Sequence, residues 1–74
     1  MDVSSAISDL QRVASGLEYK KAELEENKSR LEDMPNASEM EDQISDLDEK
    51  IELLSDSAQL IREAIGKLEY KSWG

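Results

Sequence analysis

Seventy-four residues carry 18 acidic and 9 basic side chains, a net charge of −9, with histidine, cysteine and phenylalanine all absent. That composition excludes a disulfide framework, a Cys/His zinc site, and thiolate or imidazole catalysis, and it leaves an aliphatic core in a single domain spanning 1–74. No stretch approaches the ~18 consecutive apolar residues of a membrane span, and no basic region followed by an apolar run opens the chain. The expectation is a soluble, cytoplasmic protein without membrane contact.

The first element follows from leucines spaced by sevens: Leu10, Leu17, Leu24 and Leu31, with Val3 one heptad earlier. A seven-residue apolar repeat is the signature of a helix with a partner along one seam. Asp2, Ser4 and Ser5 are candidate N-caps, since their oxygens can accept early backbone N–H groups. Pro35 disfavours helical geometry at Met34. Helix one is therefore predicted over about 3–33 and a turn over 34–37.

Ser38 and Glu41 have the spacing of a capping box, in which each satisfies a backbone N–H of the other. From there Met40, Ile44, Leu47, Ile51, Leu54, Ala58, Ile61, Ile65 and Leu68 alternate steps of four and three, predicting helix two over about 39–71. With the leucines of helix one at d, its a positions are Ile7, Ala14, Lys21 and Lys28. Antiparallel pairing then sets Ile7 opposite Leu68, Ala14 opposite Ile61, Leu24 opposite Ile51 and Lys28 opposite Leu47. The implied turn lies between Ala37 and Ser38. The fold class is all-α, an antiparallel two-helix hairpin of coiled-coil type.

A lone hairpin of this length buries little, and apolar residues outside the seam widen its stripe, so self-association into a four-helix bundle is expected. The expected oligomer interface comprises Ile7, Leu10, Val13, Leu17, Leu53, Leu60, Ile61 and Ala64, centred on the open half of the hairpin. Gly16 and Gly66 interrupt helical stretches outside the seam, and close approach of another chain would account for them.

Charge is lopsided. Residues 32–56 hold ten acids against Lys50 alone, forming an acidic knob at the turn end. Glu39, Asp42, Asp46 and Glu49 are its candidate contacts for a protein with a basic surface. Direct nucleic-acid binding is not expected, because no basic patch exists to neutralise phosphates. Tyr19 and Tyr70 occupy outward f positions, and Tyr70 with Trp73 forms a second candidate partner-binding end; Trp73 could also fold over the open end onto Val3 and Leu68.

No glycine-rich loop cradles phosphate, and no base is spaced to activate a serine. Asp46, Asp48, Glu49 and Glu52 lie on neighbouring turns but lack the twelve-residue loop and central glycine of an EF-hand. No metal site, no cofactor and no enzymatic activity are expected. The functional expectation is a protein-interaction module: a small oligomeric regulator, adaptor or assembly factor of a kind common in bacteria and their phages. The alternatives are an acidic decoy that blocks a basic nucleic-acid-binding protein, and an oligomeric bundle that sequesters a small ligand.

Overall fold

A computed structural model describes the backbone of residues 3–73 and the side chains of residues 3–71. The chain is all-helical there. Helix α1 spans Val3–Glu32, a 3-10 turn spans Ala37–Met40, and helix α2 spans Glu41–Trp73. The two long helices pack against each other along a rod 57 × 14 × 14 Å in extent.

The connection departs from the capping-box expectation. The last α-type bond of α1 runs from the N–H of Asp33 to the carbonyl of Ser29, at 3.1 Å. The chain then tightens. Met34 donates to Leu31 at 3.3 Å, Ala37 to Met34 at 3.1 Å, and Glu39 to Asn36 at 2.9 Å. Each is a three-residue bond, so a succession of tight turns carries the backbone around Pro35, which has no N–H to contribute. Ser38 lies inside the 3-10 turn rather than at a cap, and Asn36 at the cap makes no side-chain capping bond. Backbone carbonyls satisfy the N–H groups of Ala37 and Glu39, and α2 proper starts at Glu41. At the other end α1 already includes Ser4 and Ser5, which removes them as caps; Asp2 lies outside the described residues.

Every a and d position between Val3 and Leu68 is buried or half-buried, including Lys21 and Lys28. The heptad is thus expressed along the whole seam. Yet the core is thin. Only Ala14, Ala58 and Ile65 are buried, at 0%, 5% and 6% exposure, and among the described residues no large side chain is fully enclosed. A single layer of two helices can shield each seam residue from one side only, which leaves the leucines half-wet.

Candidate functional site: an apolar flank and an acidic turn

In an antiparallel pair, e positions of both helices share one flank of the seam and g positions share the other, with b and c lying further out on the same respective sides. The structure shows this sorting directly. Arg62 Nε donates to Glu18 Oε1 at 2.7 Å, joining e to e across the seam. Lys28 Nζ meets Asp48 Oδ1 at 2.5 Å, beside Leu47, the residue expected opposite Lys28. An open groove of about 440 Å³ on this flank is lined by Glu18, Lys21, Ser55, Gln59 and Arg62, among others. The hydrogen bond from Arg62 holds the Glu18 carboxyl below its usual range, and Asp48 holds the Lys28 ammonium above its usual range. Among the described residues, the e and b positions hold Glu18, Glu25, Glu32, Glu41, Asp48, Glu52 and Glu69 with Arg62 as their one base, while Lys21 and Lys28 reach this flank from the seam.

The g/c flank is different in kind. Val13 (g), Leu53 (c) and Leu60 (c) all fall on it, exposed by 50%, 59% and 66%. Ala6, Gly16 and Ala64 fall there too. An open hollow of about 330 Å³ is walled by Leu24, Leu53 and Leu54 and by Lys20 and Lys50, which confirms that α1 g and α2 c positions share this side. Lys20, Arg30, Lys50, Lys67 and Lys71 outnumber Asp9, Glu23 and Asp46. The chain thus keeps most of its bases and its unshielded apolar side chains on one flank, and its carboxylates on the other flank and the outer faces.

The expected interface residues therefore divide into two sets. Ile7, Leu10, Leu17 and Ile61 line the seam and are half-buried between α1 and α2, whereas Val13, Leu53, Leu60 and Ala64 are exposed on the g/c flank. Val13, Leu60 and Ala64 lie on the open side of Ser57, the midpoint of α2, and Leu53 extends the set past it toward the turn. Heptad lettering of positions outside the seam is the sequence signal for this flank.

Of the acidic residues, Glu39 sits in the 3-10 turn, while Asp42, Asp46 and Glu49 follow one outward face of α2, all exposed. Asp46 is held by Lys50 at 2.8 Å, and that contact raises the Lys50 pKa. Tyr19 and Tyr70 project outward at 75% and 79% exposure. Tyr70 borders an open hollow with Glu63, Gly66, Lys67 and Lys71. The side chain of Trp73 lies outside those described, and so does the proposed cap over Val3 and Leu68.

Among the described residues no group of three or more metal-ligating side chains converges on a point that could hold an ion. No helix is long and apolar enough to cross a membrane. A Cβ placed on Gly16 or Gly66 would meet no atom within 4 Å, so packing inside the hairpin does not require either glycine. Comparison of the chain with family models, curated proteins and solved structures returns no match.

Proposed function

We propose that this chain is a non-enzymatic protein-interaction module, a small oligomeric regulator, adaptor or assembly factor that pairs with itself and acts by binding another protein. The observation that carries the reading is the row of exposed Val13, Leu53 and Leu60 on one flank of the rod; among the described residues the other exposed large apolar side chains are Met34, Tyr19 and Tyr70. Large apolar side chains grouped on one side of a thin hairpin are what an unfilled second helical layer looks like. The acidic turn end, with Glu39, Asp42 and Glu49 beyond that layer and Asp46 at its rim, is the surface offered to a partner of basic character. Light scattering over a dilution series tests the reading: the mass should approach twice the 8.3 kDa of the chain and fall on dilution. A helical species of single-chain mass at every concentration would refute self-pairing.

The run of carboxylates from Glu39 to Asp56 favours a second reading, an acidic decoy that occupies the nucleic-acid site of a basic protein. Its mark is an affinity for that protein that falls steeply with salt.

A further inference from the structure

We infer that the g/c flank is the contact between two copies of this chain, laid antiparallel so that their acidic turns point in opposite directions. The inference rests on the self-pairing proposed above and fixes its geometry.

Position is the first argument. The exposed row runs from Leu53 to Leu60 and Ala64 on α2, so its centre falls between Ala58 and Gln59, just to the open side of the midpoint of Glu41–Trp73. A two-fold axis through that centre, perpendicular to the rod, superposes two hairpins over most of their length and leaves each turn projecting. The covered flank of a 57 × 14 Å rod is about 800 Å² per copy, the size of a standard stable interface. An apolar row near one end would have left the other end overhanging.

The α1 side of the same level falls at Gly16 and Leu17, by the register that sets Lys28 beside Leu47 and Asp48. The two α1 helices would cross there, and Gly16 is a residue that the isolated hairpin gives no reason to keep. A glycine at the crossing lets two backbones approach without a Cβ between them.

The length and area of the flank select a second copy as its occupant, and charge chooses the orientation. With parallel copies, two knobs that each gather ten carboxylates would lie side by side; with antiparallel copies their turn ends stand apart by about the 57 Å of the rod, many screening lengths of ~8 Å. The same axis sets Leu53 opposite Ala64 of the second copy and Asp46 opposite its Lys71. It also sets Lys50 opposite Lys67, at the rim, where Asp46 already binds Lys50 at 2.8 Å.

The test is the distance between spin labels on Asn36→Cys, a turn residue whose side chain makes no capping bond, in a chain with no other cysteine. Helicity and mass are recorded on the same labelled sample. The expected result is a dimer with a label separation near the 57 Å rod length. A dimer with labels within about 25 Å, two helix diameters, overturns the antiparallel arrangement while leaving self-pairing intact. A helical monomer without an intermolecular distance overturns self-pairing, and the inference falls with it.

Discussion

The two flanks of one seam are built from the same two helices, yet they solve opposite problems. The e/b flank is closed by its own chain: Arg62 bonds Glu18, Asp48 reaches over to Lys28, and the remaining carboxylates are solvated. The g/c flank is closed by nothing within the described residues, and it is where the chain places Val13, Leu53 and Leu60. The difference teaches that cross-helix ion pairs mark the side a hairpin finishes alone. Their replacement by apolar side chains marks the side left for another surface.

The strongest way to break this comparison is to make the flanks alike. Introducing Leu53→Glu with Leu60→Glu should weaken self-association at least a hundredfold, about 3 kcal/mol, as read by sedimentation equilibrium. Gln59→Glu, on the e/b flank, should leave the dissociation constant unchanged. Equal losses from both variants would erase the distinction between the sides.

A subtler probe uses the glycines, one on each flank. Gly66→Ala meets open space and should gain about 1 kcal/mol of helix stability, a rise in Tm of about 4–8 °C for a domain of this size. Gly16→Ala should show the same gain only in samples dilute enough to be monomeric. At dimer-forming concentration its gain should shrink or reverse, because the added methyl stands where the α1 helices meet. Identical gains at every concentration would remove Gly16 from the interface.

The smallest effect belongs to the closed flank. The folded-state pKa of Glu18 lies below its usual value because Arg62 donates to it, so this pair stabilises the fold above the usual carboxylate range. That contribution is lost as pH falls through the lowered value. Urea unfolding of wild type and Glu18→Gln should therefore differ at pH 7 and converge as pH falls below the lowered Glu18 value. The pair is about half-exposed to solvent, and the gap at pH 7 is the least of the changes described. A gap that persists at low pH would mean that Glu18 acts through packing.

Much of the fold was legible in the sequence because the heptad writes the seam twice, once in each helix. The expected layers agree with a structure in which Lys28 lies beside Leu47 and meets Asp48. The turn was less legible. Ser38 and Glu41 carry the right chemistry for a capping box, but three-residue backbone bonds carry the chain around Pro35 and leave Ser38 inside a 3-10 turn. The apolar flank was visible as residues and not as a surface. Val13 and Leu60 lie 47 positions apart, and only the antiparallel register of the hairpin puts them on one side. No sequence signal identifies what meets the acidic knob or Tyr70, since exposed carboxylates and tyrosines serve solubility as readily as recognition.

Ala14 and Ala58, two of the three buried residues, occupy neighbouring seam layers at mid-rod. Small side chains there draw the helices together, while toward the turn the seam holds Lys21 and Lys28. The hairpin is thus clasped at its waist, and thermal opening should propagate inward from both tips. Slowly exchanging backbone amides would then gather around the waist, making the middle of the rod the last part of the molecule to unfold.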